Sequence, residues 1–424
     1  MALPYRLRSI TKPFEPALEH LNRCTMRFTV QQVRNGCRLG SLTDLGPQPL
    51  ATPLWMMYTL QGSAPYLTSD VLSKISDTPS VMIVPNGHVS EHYDAIQKYN
   101  KGIAAFASLP EKLVFASMQD PGVATPTGFN TNKGVAVWGR PGKTEMTVEM
   151  HTRLTEALRP CVYQAMFDGD TPKDASNKRM KKSVDRSIQF LDLCLEEKKK
   201  SEVLRDVPMF AGIVGGYNKY ERARFAKEVS KRDVSGYSIE GFHHNGSKVE
   251  ELKISEISDL LQISLNELSE DKPRVFTGAL PPHSLLAAIK LGLDIFDLSY
   301  PYVVGERGSA LTFNYVFDAQ TQEQELSHSV EGEEGPYEMC LKHKRFARDF
   351  GPLKQGCECY TCVHHSRAYV HHLLEVSELL APILLTIHNM QHYIGFTQQI
   401  HKCLRDDSFD QLQMLIESQR TLKG

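Results

Sequence analysis

Much of what would mark a specialised chain is missing from these 424 residues. No run approaches the roughly eighteen consecutive apolar residues that a bilayer-spanning helix needs. The opening residues, MALPYRLRSITKPFEP, lack the apolar core of a secretory signal. Neither sign of charge is in excess: 48 Lys and Arg against 50 Asp and Glu give a formal net charge of -2. The molecule as a whole is therefore no polycation, and any contact with nucleic acid must come from a local basic patch. Glycine and proline stand at ordinary levels, which excludes collagenous and low-complexity chains. No internal repeat or heptad is visible. No G-x-G-x-x-G follows an early strand, so the usual support for a doubly wound dinucleotide-binding sheet is absent.

What is present reads as a large soluble α/β protein. Residues 26–62 alternate and are punctuated by turns (MRFTVQQVRNG, CRLGSLTDLG, ATPLWMMYTLQG), as in a β-rich lid. From about residue 80, short runs rich in Val, Ile and Phe alternate with amphipathic stretches, the pattern of βα units around a parallel sheet. The runs are VMIVPNG (81–87), LVFASM (113–118), CVYQAMFD (161–168), MFAGIVGG (209–216), GYSIEG (236–241), RVFTGAL (274–280) and DIFDLSY (294–300). Seven is close to the eight strands of a closed (β/α)8 TIM barrel. The expected domains are an N-terminal β-rich segment over 1–62, a barrel body over 63–317, an acidic loop over 318–338 and a helical metal-binding subdomain over 339–424.

The nine cysteines are six scattered and three packed together as Cys357-x-Cys359-x-x-Cys362. An odd count without a secretion signal favours reduced thiols, a cytosolic chain and a metal site over a disulfide framework. Thiolate and imidazole are the donors that Zn2+ prefers, and a structural zinc takes four of them. An iron–sulfur cluster would call for a fourth cysteine, and Cys340 and Cys403 are poorly placed to supply it. His364, His365, His371, His372, His388 and His392 all qualify by type as the fourth donor. By spacing His388 leads, because coordination would staple a separate helix to the knuckle. Four protein donors leave no open position, so the metal is expected to be structural.

The stretch RFARDFGPLKQGCECYTCVHHSRAYVHHLLEVSELLAPILLTIHNM closely resembles the zinc region of the tRNA-guanine transglycosylases. The matching elements are RFA-x-D-x-x-PL, C-x-C-YTC, SRAY-x-HHLL and LLT-x-HN. Weaker likenesses lie upstream in CRLGSLTD, FAGIVGG with YERARFAKEV, GYSIEG and GLDIFD. The resemblance implies a (β/α)8 barrel, one zinc per subunit on Cys357, Cys359, Cys362 and His388, and a dimer working on tRNA. The family's reaction is a double displacement, in which one Asp attacks the ribose and a second serves as general acid/base.

Departures from the pattern decide the expected role. Asp297 stands at the nucleophile's position in FDLSYPYVVGERGSALTF, but the family's PTR and AR elements beside it have become Pro301-Tyr302-Val303 and Glu306-Arg307. The family's DSGGFQ is absent between 80 and 120, and its base-reading GGLAVGE survives only as the stretch from Glu240 to Gly246. Gly215 replaces the Gln of QGG. Asp168 matches a base-contacting Asp whose partners are missing. Asp297 and Asp168 are thus expected to be vestigial, and no catalytic residue is assigned.

An intact zinc region with an eroded active site resembles a non-catalytic branch of the family. Its members pair with the catalytic subunit of queuine tRNA-ribosyltransferase as a heterodimer. The resemblance implies exchange of guanine for queuine at the wobble position of tRNAs with GUN anticodons. It also implies a cytoplasmic setting with peripheral association at the mitochondrial outer membrane. The alternative is a self-sufficient homodimer using Asp297. For tRNA phosphates the expected contacts are Lys342, Lys344, Arg345 and Arg348, with Lys178, Arg179, Lys181, Lys182 and Arg186 as a second run.

Overall fold

The computed structural model describes residues 26–140, 142–242, 245–317 and 335–421. Eight parallel strands close a barrel: β4 (Leu54–Tyr58), β5 (Val81–Pro85), β6 (Leu113–Ser117), β9 (Val162–Gln164), β10 (Met209–Ile213), β11 (Gly236–Ile239), β12 (Arg274–Val275) and β13 (Ile295–Asp297). The ring is sealed where β13 pairs with β4, with Ile295, Phe296 and Asp297 opposite Leu54, Trp55 and Met56. Side chains alternate along each strand. Met56, Tyr58, Val81, Ile83, Phe115 and Phe210 fill the interior, while Trp55, Met57, Met82, Val84 and Phe296 pack outward in the larger core.

A three-stranded antiparallel sheet, β1 (Arg27–Arg34), β2 (Cys37–Thr43) and β3 (Leu50–Thr52), lies against one end of the barrel. Leu42 and Leu45 join the interior cluster beside Leu54, Val81 and Leu113, which begin their strands. The sheet therefore covers the end where strands start and leaves the opposite rim, where they finish, to the βα loops. That rim is the end at which barrels of this kind carry their sites.

Two expected boundaries move. The first barrel strand, β4, lies before residue 62, inside the segment expected to be a separate lid. LWMMYTL is covered on both faces, so it reads as a continuous apolar run without the alternation of a one-sided strand. The expected acidic loop lies mostly outside the described residues. Its last residues are structured: Tyr337 is buried, and Glu338 begins β15 (Glu338–Cys340), which pairs with β14 (Ser309–Leu311).

A buried ion pair fastens the sheet to the barrel. Arg38 of β2 brings Nε to 3.3 Å from Asp294 Oδ1, a charge contact without hydrogen-bond alignment. Arg38 Nη2 donates to the Glu270 carbonyl at 2.8 Å, and Asp294 Oδ2 accepts from the Arg274 N–H at 2.8 Å. Burial pushes the Asp294 carboxyl up to about 7 although Arg38 opposes the shift. Arg38→Met removes the countercharge and is expected to cost about 3–5 kcal/mol near neutral pH. A carboxyl with a raised pKa penalises the fold only as pH climbs above its unfolded value. The deficit, read by urea unfolding, should therefore be larger at pH 8 than at pH 5.

Candidate functional site

Cys359 sits at the N-cap of a short helix, Tyr360–His364, where its Sγ accepts from the Cys362 N–H at 3.4 Å. That turn brings Cys357, Cys359 and Cys362 to one side, facing His388 on the long helix Leu380–Arg405. His388 Nδ1 lies 3.8, 3.4 and 3.3 Å from the three sulfurs, and all four donor atoms fall within 4.8 Å of one another. Bonds of about 2.3 Å to sulfur and 2.0 Å to nitrogen place nitrogen and sulfur corners of a tetrahedral zinc site roughly 3.5 Å apart. The three nitrogen–sulfur distances bracket that figure.

The other imidazole nitrogen, Nε2, lies 2.9 Å from the Leu311 carbonyl, to which it donates. That hydrogen bond fixes the tautomer and leaves the Nδ1 lone pair toward the sulfurs, as in ligating histidines generally. The donors also compete for protons. Hydrogen bonds from Cys359 and Cys362 drive Cys357 toward thiolate. Burial disfavours charge on His388, yet Cys357 and Cys362 outweigh it and raise the imidazole to about 9. A dication replaces such shared protons.

Of the other candidate histidines, His372 is exposed, His392 stacks on His388 and meets Phe313 edge to face, and three have partners outside the cluster. His364 and His365 lie against Tyr360, and His365 also stacks on Tyr369. His371 Nδ1 contacts the Leu341 carbonyl at 2.7 Å. Among the described residues the only metal-capable group of three or more is the Cys3His set.

Next to His388, Asn389 stitches the same helix to the barrel. Its Nδ2 donates to the carbonyls of Pro301 and Ser309 at 3.2 and 3.1 Å, and its Oδ1 accepts from the Leu311 N–H at 2.8 Å. The metal centre is thus tied to the segment that follows Asp297.

At the barrel mouth the carboxylates are already spoken for. Asp297 ends β13, and its two oxygens accept from the backbone N–H groups of Gly278 and Ser299 at 2.6 and 2.8 Å. Burial raises its carboxyl to about 6 against those hydrogen bonds. Glu240, just past β11, accepts from Ser238 Oγ at 2.6 Å and Gln164 Nε2 at 3.0 Å, and burial pushes it up to about 7. Asp120, after β6, holds His88, Tyr58 (2.8 Å) and the Gly122 N–H (2.7 Å). Asp120, His88 and Gln164 were missed in the sequence. The signal for Asp120 was its place directly after an apolar run, where other runs also end in Asp or Gly.

Asp168 has partners of its own in this chain, distinct from the base-reading motif residues whose loss the sequence showed. Arg179 grips it through Nη1 and Nη2 at 3.0 and 2.8 Å, Arg186 adds Nη1 at 3.0 Å, and Asn130 donates at 2.8 Å. Burial penalises the charge, but the arginines and Asn130 still hold this carboxyl below its ordinary range. Arg179 and Arg186 therefore leave the second basic run, whose Lys178, Lys181 and Lys182 stay exposed. Lys342, Lys344, Arg345 and Arg348 are all exposed on and beside the 3-10 turn Lys344–Arg348.

The substituted motif positions are also occupied. Gly215 has φ 132°, and a Cβ there would stand 2.8 Å from the Arg222 nitrogen, so no Gln side chain fits. The fully buried Arg222 lies 3.5 Å from the ring centroid of Phe242 and donates to the carbonyls of Ile213, Gly216 and Glu240. Tyr302 packs against Tyr58 at 5.1 Å. Arg307 is bound by Glu250 and Glu338 at 2.7 and 2.8 Å. His243 and His244 lie outside the described residues.

The raised Glu240 carboxyl yields a pH test. Its contribution is intact below the unfolded pKa near 4.5 and is lost as pH rises toward 7. Against Glu240→Gln, wild-type unfolding free energy should fall by about 3 kcal/mol between pH 4.5 and 7, at about 1.4 kcal/mol per pH unit. Parallel curves over that window would show that Glu240 does not titrate there.

Comparison with known proteins bears on the whole chain. The family model described as queuine tRNA-ribosyltransferase matches residues 34–421. The Xenopus laevis protein named queuine tRNA-ribosyltransferase accessory subunit 2 is 40% identical over 420 residues, covering 93% of this chain and 100% of that protein. The Homo sapiens protein of the same name is 38% identical over 419 residues, with the same coverage of both chains. The Ixodes scapularis one is 40% identical over 384 residues, covering 89% of this chain and 97% of its own. This chain therefore belongs to the queuine tRNA-ribosyltransferase family.

Proposed function

We propose that this chain is the non-catalytic subunit of a heterodimeric queuine tRNA-ribosyltransferase. In this reading a catalytic partner exchanges guanine for queuine at the wobble position of tRNAs with GUN anticodons. One observation carries the proposal: the altered motif positions are tied into the fold itself, with Asp168 clamped by Arg179, Arg186 and Asn130, and Arg307 by Glu250 and Glu338. Backbone N–H groups take one lone pair on each oxygen of Asp297 and orient it, so the case against a nucleophile rests on its altered flanks, Pro301-Tyr302-Val303 and Glu306-Arg307. A base-reading carboxylate must accept from the base, and Asp168 is saturated by two arginines and an asparagine.

The supporting role falls to the metal subdomain. Zn2+ on Cys357, Cys359, Cys362 and His388 would act as a cross-link, since four protein donors leave no position for water or substrate. Around it, Phe350, Val363, Tyr369, Val376, Leu379 and Leu380 are exposed apolar side chains. So much open apolar surface in one small subdomain fits a partner-binding face, which we assign to the catalytic subunit. Lys342, Lys344, Arg345 and Arg348 would contribute phosphate contacts. The reading includes a cytoplasmic location with peripheral attachment to the mitochondrial outer membrane. Among the described residues no helix is long and apolar enough to cross a membrane.

Labelled-guanine exchange by each subunit alone and by the mixture tests the role. Activity is expected only in the mixture, and in neither chain alone. Asp297→Asn should leave the mixture's rate within about twofold while costing this chain about 1–3 kcal/mol of stability, because an amide N–H would face a backbone N–H. Exchange by the isolated chain, abolished in that variant, would establish the self-sufficient homodimer instead. Metal analysis should find one zinc per chain, lost in Cys359→Ala together with association with the partner. A metal-free chain that still pairs fully would refute the cross-link.

A further inference from the structure

Between β6 and the helix Val148–Leu158 the chain detours over the rim where the strands end. The detour contains an antiparallel hairpin, β7 (Gly134–Gly139) with β8 (Gly142–Thr147). It is fastened by groups that the proposed function leaves idle. Asn130 donates to Asp168 at 2.8 Å, while its own Oδ1 accepts from the Ala136 N–H at 2.8 Å. Arg186, which also grips Asp168, donates through Nε to Asn132 at 2.8 Å. The Gly128 N–H donates to Asp170. Across the hairpin, the Trp138 carbonyl presses so closely on Gly87 that a Cβ there would stand 2.7 Å from it. The hairpin is thus tethered to two neighbouring rim loops.

What it holds outward is aromatic and basic. Phe129 is 43% exposed and meets Trp138 edge to face at 5.5 Å and 80°. The Lys143 ammonium sits 5.0 Å from the Phe129 centroid. Lys133, Arg140 and Lys143 lie along the same detour, and among the described residues none forms an ion pair with a carboxylate. Aromatic faces interleaved with free cations are the combination that binds single-stranded nucleic acid. Bases stack on the rings in a sequence-tolerant way, and the cations meet the phosphates. A protein partner with a neutral apolar face would leave three cations unmatched, so charge favours a polyanion.

We propose that this hairpin is a second RNA-binding surface, which takes a single-stranded stretch of tRNA on Phe129 and Trp138 and its phosphates on Lys133, Arg140 and Lys143. Asp168 and Asn130 act as positioning residues that hold it in place. The inference rests on the tRNA-subunit reading above.

The test is equilibrium binding of a fluorescent GUN-anticodon tRNA to the complex of this chain with its catalytic partner, at several salt concentrations. Phe129→Ala should weaken binding about tenfold with an unchanged melting temperature, and Phe129→Tyr should retain it. Arg140→Ala with Lys143→Ala should lower the log–log salt slope by about one per cation removed. Asn130→Ala should weaken binding in the same direction and speed amide exchange across β7 and β8. Wild-type affinity and slope in the Phe129→Ala and Arg140→Ala/Lys143→Ala variants would overturn the hairpin's role while leaving the subunit reading intact. If the wild-type chain adds neither tRNA binding nor activity to its partner, the subunit reading fails and this inference with it.

Discussion

His388 has two ring nitrogens and uses both, and the C-terminal half of the structure depends on that double engagement. Nε2 is committed to the Leu311 carbonyl of β14, so Nδ1 can turn only toward the three sulfurs. Because Asn389 closes on Pro301, Ser309 and Leu311, two adjacent residues of one helix set the distance between the cysteine knuckle and the barrel. The imidazole is fully buried, and a buried polar ring is tolerable only with partners on both sides.

The rim shows the same limit in another form. A carboxylate has a finite number of lone pairs, and a site does chemistry with those left over. Asp297, Glu240, Asp120 and Asp168 all stand where strands finish, and part of their acceptor capacity, nearly all of it in Asp168, goes to N–H groups, hydroxyls, amides and guanidinium groups of the same chain. Glu240 and Asp297 still carry raised pKa values, to about 7 and about 6. Perturbed ionisation in a cleft often marks a catalytic group. Here burial is the first cause in both cases and the hydrogen bonds are internal, so the perturbation follows from packing.

Much of this was legible in the residues. The βα rhythm from 80 onward carries the barrel, because a strand between the packed interior and the outer helices is buried on both faces and reads as a short apolar run. The knuckle was legible because thiolate spacing is local along the chain. β4 was not, since LWMMYTL, though an apolar run, follows two turn-punctuated strands and groups with them by position, and only pairing with the distant β13 gives it a place. Among six histidines, spacing and resemblance already favoured His388, and the fold adds the physical reason, a ring turned toward the sulfurs by the Leu311 carbonyl. The grip of Arg179 and Arg186 on Asp168 was hidden because these two arginines share the helix face turned toward the rim, while Lys178, Lys181 and Lys182 of the same run are exposed. A basic run in sequence is two populations in space.

The seam between β4 and β13 has a consequence for how the molecule is made. Its two strands are about 240 residues apart in the chain, so closing the ring demands a contact of very high sequence separation, the kind that slows folding. During synthesis β4 emerges early and must wait, its apolar flanks Trp55 and Met57 uncovered, until almost the whole barrel has followed. The cysteine knuckle and the helix that bears His388 emerge later still, and Asn389 binds the carbonyl of Pro301 just beyond the closing strand. Nascent chains released before β13 would carry an open sheet edge, while the stretch from Cys357 to Asn389 arrives after closure and fastens the segment just beyond the closing strand.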